Sequence, residues 1–421
     1  MESLFSSNPS QKKMIVNVRD SRHNFIAFLW HALFLAFVTT FIDVNTVFSS
    51  LILKIGGTSI HVGVLTGIAV GLPLITQIFF AGFLAGRPRK KPFLLMGIYL
   101  RVLSLVGMGY TLAIADKSDP FNLMLTVFLW IGLFATSGAF AGISYTDILG
   151  KVLPKAQRKH FLITKQAISS AAMLISAIVV RHLVIAWPYP KNYMLIFLIA
   201  AVLLFIAAAG FLMIREAAGK VNPLSRMVVI VKAIPQILQN DTNLSNYILL
   251  INASSLGVTI IPFYVALSKS RFGLIDHQIG NYLLLQFIGM ALSTIIWNKV
   301  AGRYKFKGIS FGYAFIGGLL PILALGLSQI SIGFFQWIFF FSGFAVSAGR
   351  ISIEGILLEI TTDDNRAIYA GISGTLSLTT AIFPLIAGIL IENYGFGAIF
   401  TVATPIIFSS LFFLKRIQCK P

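Results

Sequence analysis

The sequence predicts an all-α membrane protein of twelve transmembrane helices in two pseudo-symmetric six-helix bundles. Three observations carry that prediction. The chain has 421 residues, of which 57% are hydrophobic and only 11% charged, with a mean hydropathy of +0.86. A soluble domain carries about 25% charged residues, so this chain has too few to cover a surface in water. Its apolar residues fall into runs of roughly the ~20 residues that span a bilayer. Finally, a short basic hinge occurs twice, half a chain apart: "AGFLAGRPRKKP" from Ala81 to Pro92 and "NKVAGRYKFKG" from Asn298 to Gly308.

Taken in order, residues 1–24 are polar and basic and read as a cytoplasmic segment. The apolar run over 25–53 is too long for a signal-peptide core of about 7–15 residues, so it reads as a retained first helix. Five more follow over 61–85, 93–115, 122–148, 162–187 and 192–214, completing an N-terminal bundle (25–214). The segment 215–244 is the longest internal stretch without a span. It holds Arg215, Lys220, Asn222-Pro223, Arg226, Lys232 and Pro235, and reads as a cytoplasmic linker with a short amphipathic piece. Helices over 245–268, 278–298, 309–328, 334–359, 367–391 and 397–414 form a C-terminal bundle (245–414), followed by a cytoplasmic tail (415–421).

The net charge is +19. In a soluble protein that would suggest nucleic acid. Here the basic residues cluster between apolar runs, where they orient helices. The termini and even-numbered loops hold 24 of the 33 Lys and Arg, the odd-numbered loops five, and the spans four (Arg101, Lys165, Arg181, Arg350). That asymmetry places both termini and the linker in the cytoplasm. A single cysteine, Cys419, excludes an intramolecular disulfide and a multi-cysteine metal site. His-Glu-x-x-His, Gly-x-Ser-x-Gly and the phosphate-cradling Gly-x-x-x-x-Gly-Lys-Ser/Thr are all absent. The chain therefore reads as a non-enzyme without cofactor or metal, and any transport by it would draw on a gradient.

The halves repeat. "HVG" (His61–Gly63) opens the second helix and "HQIG" (His277–Gly280) the eighth; both helices then end in Ala-Gly-Arg, 216 residues apart. "LPKAQRKHF" leads into the fifth helix and "TTDDNRAIY" into the eleventh, with Arg158 and Arg366 in step. At these residues the chain resembles the major facilitator superfamily, whose signature after the second helix is Gly-x-Leu-Ala-Asp-Arg-x-Gly-Arg-Lys. Gly82, Leu84, Ala85, Arg87 and Lys91 match it, and Lys90 stands for Arg. Gly86 replaces the Asp and Arg89 the second Gly; Gly302 beside Arg303 repeats the Asp-to-Gly change in the second copy. "FPLIAGILIENYGFGAIF" and "PYPKNYMLIF" are further matches, and "DILGKVLPKAQRKHF" is similar to a large prokaryotic branch. The drug-antiporter branch carries an Arg within the fourth helix and a Gly-Pro-rich fifth helix, and neither occurs here.

The resemblance implies a secondary transporter. It would move a small solute, with a proton or ion gradient, by rocking the bundles around a midplane site. It also implies a monomer in the lipid bilayer of a bacterial inner membrane. Two other readings stay open: a membrane scaffold that no longer cycles, favoured by the lost signature Asp, and a lipid-moving protein.

Ionisable groups inside a bilayer are costly and mark pathways or buried pairs. Asp43 with Asn45 in the first helix, and Arg350 with Glu354 four residues on in the tenth, are the expected solute or coupling-ion contacts, because the resemblance has both helices lining the cavity. At i,i+4 spacing Arg350 and Glu354 share a face and can pair. Arg101, in a third helix that is peripheral in the family, is expected to snorkel to the headgroups or to serve the site. Arg181 with His182, near the outer end of the fifth helix, is expected to snorkel or to form an anion-attracting mouth. His31 is expected as a helix–helix hydrogen-bond partner. Gln77, Tyr145, Gln166, Asn252, Tyr264, Tyr282 and Gln286 are candidate lining residues. For the cytoplasmic gate, Gly82 and Gly86 belong to the hinge, with Gly86 and Gly302 making sharp turns. Asp147 is expected to latch to Lys151, Lys155 and Arg158. Glu359 is expected in the gate, beside Arg366 and Arg303. Arg87 or Arg89 would meet Asp363 or Asp364 across the bundles. Four in-span cations against four in-span anions leave the solute's charge undecided.

Overall fold

The computed structural model describes residues 18–115, 119–153, 155–216, 234–273, 275–361 and 366–418. Among these residues every regular element is helical. Ten helical runs are long and apolar enough to cross a membrane. Two of them are too long for one crossing. Asp276–Leu327 has 52 residues, or about 78 Å at 1.5 Å per residue, against a hydrocarbon core of about 30 Å. It turns at Lys305, the one non-glycine residue with positive φ (54°) among those described. The Trp297 ring then lies against Gly312, so the two arms run side by side. Leu378–Arg416 turns in the same way at Gly395, φ 77°. Splitting both runs gives the twelve spans.

The spans are numbered α1–α12. α1 comprises Val18–Phe41, a wider π-type turn Val44–Phe48 and Ser49–Lys54. α2 comprises Ser59–Thr66, a second π-type turn Gly67–Gly71 and Leu72–Ala85. α3 is Lys91–Ala113, α4 Pro120–Val152, α5 Lys155–Ala186 and α6 Lys191–Met213. A short helix over 234–240 precedes α7, which is built from Thr242–Ser254, Leu256–Thr259 and Ile261–Phe272. α8 and α9 are the arms 276–304 and 306–327. α10 comprises Ile332–Phe335 and Trp337–Ile360. α11 comprises Arg366–Thr375 and the arm 378–394, and α12 is 396–416.

Gly86 sits in the turn that ends α2, where Arg87 N donates to Leu84 O at 3.1 Å, whereas Gly302 makes no turn. Gly86 caps α2 at φ −80°, and Gly302 lies inside α8; any residue adopts such backbone. An added Cβ would meet only Phe83 O at 3.9 Å at Gly86, and nothing within 4 Å at Gly302. In the second copy the turn falls three residues later, at Lys305. Gly82 lies within α2.

Both halves begin and end at the same end of the molecule. Arg215 N, just past α6, donates to Asn24 Oδ1 near the start of α1 (3.0 Å). Gln418 N, past α12, donates to Asn243 Oδ1 at the start of α7 (2.8 Å). One hydrophobic core draws on α1–α6 plus Ile279, Leu283 and Phe287 of α8. A second draws on α7–α12 plus Leu53 and Val62. The strays mark where the halves interlock.

That interlock closes the end opposite the termini. Lys54 Nζ pairs with Asp276 Oδ1 at 2.9 Å. Lys269 Nζ donates to the carbonyls of Leu53 (3.0 Å) and Gly57 (3.2 Å). A Cβ on Gly63 would lie 2.3 Å from Pro384 O, and one on Gly388 2.6 Å from Ser59 O, so α2 and α11 touch backbone to backbone. Small residues permit this approach between membrane helices.

Candidate functional site

Within the closed end's shelter lies a cavity of about 510 Å³. α1, α2, α3, α7, α9, α10 and α11 all reach it. Its wall includes Asp43, Asn45, Arg101, Tyr313, Arg350 and Glu354. The first-helix and tenth-helix residues singled out from sequence thus meet in one space.

Asp43 sits where α1 breaks. Its backbone is extended (φ −61°, ψ 122°), and its side chain caps the π-type turn. Oδ1 accepts from Thr46 N (2.9 Å) and Thr46 Oγ1 (2.8 Å). Aspartate is a favoured N-cap because its oxygen satisfies a free N–H at a helix start. The other oxygen, Oδ2, accepts from Gln286 Nε2 of α8 at 3.1 Å. One carboxylate therefore caps its own helix and bonds to the opposite half. Gln286 is buried, and its Oε1 has no hydrogen-bond partner.

Arg350 and Glu354 both open into the cavity. Among the described residues neither forms an ion pair, so the pairing that their spacing allows is not made. Arg350 also faces a smaller space of about 80 Å³ with Gln166 of α5 and Thr294 of α8.

Arg101 turns inward rather than to the headgroups. Its guanidinium carbon lies 4.1 Å from the centroid of Phe134 on α4. Gly138, one turn on, leaves the room: a Cβ there would be 3.4 Å from Arg101 Nε. The aromatic face attracts the cation, and α4 supplies no charge at this height. An arginine does stand against the fourth helix, but it comes from the third.

Arg181 is not in a mouth. Its Nε donates to Asn281 Oδ1 of α8 (2.8 Å), and its stem packs on Gly280, which makes it part of the closed end. Asn252 is no cavity ligand either. It accepts from Thr379 N (3.1 Å) and donates to Leu376 O (2.9 Å), holding the break in α11. Tyr282 stacks on Phe339 at 4.2 Å and bonds Ser268, within the core. His31 bonds the Ala207 carbonyl of α6 (3.1 Å), as a helix–helix partner should.

At the terminal end Asp147 pairs with Lys90 (2.8 Å) and Lys151 (2.5 Å). Lys151 was expected; Lys90 comes from the hinge. Glu216, which sequence reasoning passed over, accepts from the backbone N–H groups of Lys90 (2.9 Å) and Lys91 (2.8 Å). It caps the start of α3 from just beyond the end of the neighbouring α6, where a helix N-terminus favours negative charge. Its proximity to α3 leaves no periodic trace in sequence. Arg87 rests on the Phe83 and Phe93 rings, and Arg303 on Tyr304. Arg89 is exposed on the hinge, and Glu359 Oε2 is buried without a hydrogen-bond partner. Asp363 and Asp364 lie outside the described residues, as do the side chains of Arg158 and Arg366.

Comparison with known proteins agrees with this architecture. Residues 244–418 match the family model of the Major Facilitator Superfamily. The chain is 25% identical over 329 residues to the multidrug resistance protein MdtL of Shewanella oneidensis, covering 73% of this chain and 78% of that protein. A POT family transporter solved with 5-aminolevulinic acid superposes with a TM-score of 0.64 at 14% identity, covering 97% of this chain and 98% of that one. A D-xylose–proton symporter gives 0.63 at 13% identity, over 93% of this chain and 97% of its own. The family match lies in the C-terminal half, the sequence relative extends across most of the chain, and the fold is shared throughout: the chain is an all-helical membrane protein with the fold of membrane transporters, and its C-terminal half matches the Major Facilitator Superfamily.

Proposed function

We propose that the chain carries a small solute through the central cavity by alternating access, coupled to a proton or cation at Asp43. The observation that carries this reading is the bond from Gln286 Nε2 to Asp43 Oδ2, which ties the two halves together through a group able to take up a proton. Protonating Oδ2 weakens its acceptance from Gln286 and frees the halves to move apart. Arg350 and Glu354, unpaired in the same cavity, are the solute contacts. The Lys and Arg distribution supports placing the termini in the cytoplasm, in a bacterial inner membrane. On that reading the arrangement described is open toward the cytoplasm, and the chain works as a monomer. The scaffold reading rested on the lost signature Asp. The Lys90–Asp147–Lys151 pairs and Glu216 supply carboxylates at the same hinge, which favours a working gate.

Uptake into proteoliposomes, with and without an imposed pH gradient, tests this. Asp43→Asn keeps the cap, because asparagine caps about as well as aspartate, but it cannot exchange a proton. Gradient-driven uptake of an accepted solute should vanish while gradient-independent exchange persists. Equal gradient stimulation in wild type and Asp43→Asn would remove Asp43 from the coupling.

A further inference from the structure

Beside the central cavity is a second one of about 360 Å³, within the N-terminal half. Its wall is apolar, with Phe48, Pro73, Ile131, Phe134 and Ala135 among its residues. Arg101 is the one charged residue on it, and it lines the central cavity too. A pocket of this size suits a small organic ligand.

Arg101 is left uncompensated here. Its Nε is buried without a hydrogen-bond partner. Among the described residues no carboxylate lies within ion-pair distance of it. The Phe134 ring lies against the guanidinium, and the side chain borders both cavities. Arginine presents a planar fork of donors that matches a carboxylate with two parallel bonds. An arginine inside a membrane protein ordinarily pairs or lines a pathway, and among the described residues this one has the Phe134 ring but no carboxylate. Asp43 and Glu354 lie on the central cavity and not on this side pocket. A cationic amphiphile would therefore settle beside those two acids, and an anionic one beside Arg101.

We propose that the side pocket is the subsite for an amphiphilic organic monoanion, with its carboxylate or phosphate group on Arg101 and its apolar body between α1, α2 and α4. This names a solute class for the transporter reading and rests on it. Such an anion reaches the subsite through the central cavity, past Asp43, Arg350 and Glu354.

The test is equilibrium binding of radiolabelled octanoate to the full chain in phosphatidylcholine nanodiscs, at mildly alkaline pH where the acid is ionised. Saturable binding is expected, with no displacement by octylamine. Arg101→Met should weaken it at least about tenfold, the scale of a lost charge-assisted bond. Arg101→Lys should retain part of it. Ala135→Phe fills the pocket without touching the charge and should weaken binding as well; monodisperse elution checks the fold of each variant. If lysophosphatidylglycerol displaces octanoate at lower concentration, the natural anion comes from the bilayer; if it does not, the anion comes from solution. The proposal is overturned if neither anion binds saturably, if octylamine competes equally, or if Arg101→Met and Ala135→Phe both bind octanoate as wild type does. Binding needs no gradient, so it can fail while uptake of another solute succeeds, and the reverse.

Discussion

At the scale of single residues, Asp43 shows how one side chain holds two offices. Capping ties it to α1 and the Gln286 bond ties it to α8. The two can be separated by substitution. Asp43→Ala loses both and should lower stability by about 0.5–2 kcal/mol, the cost of a missing N-cap, read as a drop in thermal midpoint in lipid. Asp43→Asn should hold that midpoint and lose only the response to a pH gradient. Asp43, Arg350 and Glu354 were legible in sequence because a charge within an apolar run has few reasons to be there. The direction in which a side chain points was not. Arg101 and Arg181 look alike as isolated in-span cations, yet one turns into a pocket and the other bridges to Asn281. Which neighbour each finds depends on helix rotation, and a lone charge in an apolar run does not report it. Glu216 escaped notice for a related reason. It follows the last residue of α6 by a short distance and looks like ordinary linker charge. Glu216→Ala should leave the Lys90 and Lys91 N–H groups without their carboxylate, costing about 1–3 kcal/mol and showing as faster amide exchange at the start of α3.

At the scale of elements, the breaks matter more than the helices. α1, α2, α7 and α11 all depart from regular geometry within the membrane. Freed backbone groups at that depth must find partners. Asp43 serves the break in α1, and Asn252 with Thr379 serves the break in α11. The closed end depends equally on what is missing from α2 and α11. Gly63 and Gly388 have no side chain, and each is in backbone contact with the other helix. Gly63→Val should fold, because the clash is with α11 rather than within its own half. It should hold that end apart: spin labels at the closed end of α1 and α7 should report longer distances, and uptake should fall. Unchanged distances would show that α2 and α11 do not control the closure. The repeated hinge was visible in sequence, but the turn of its second copy was assigned to the wrong residue. Gly86 ends α2 at φ −80°, ψ 4° and Gly302 takes helical backbone, where a glycine carries no requirement, and Lys305 turns the second copy.

At the scale of the whole molecule, the two halves exchange grips across the closed end. Lys54 ends α1 and Lys269 stands near the end of α7, 215 residues apart in the half-chain repeat. Lys54 reaches Asp276 in the other half, and Lys269 reaches the Leu53 and Gly57 carbonyls. These are two of only five basic residues that the charge count assigned to that side, so their equivalence was available to be noticed. Both groups of the Lys54–Asp276 pair keep some solvent contact, and partly exposed pairs contribute about 0.2–1 kcal/mol. Lys54→Ala and Asp276→Asn should therefore shift the opening equilibrium modestly, by a few-fold, and the double variant should add little beyond either single one. Label distances across that end, measured with rising salt, would show this; a large additive shift would mean that each group grips something else.

The sequence by itself determined the class, the span count, the doubling and the few charges placed where charge is costly. Those properties follow from composition and from the thickness of a bilayer, which act locally along the chain. Tertiary structure alone decided which charges meet. It left Arg350 and Glu354 without an ion pair among the described residues, joined Asp43 to Gln286, capped α3 with Glu216 and set Arg101 against Phe134 between two cavities. Those outcomes turn on the rotation and contact of helices far apart in sequence, where a single added methyl group, as at Gly63, decides whether two backbones can touch.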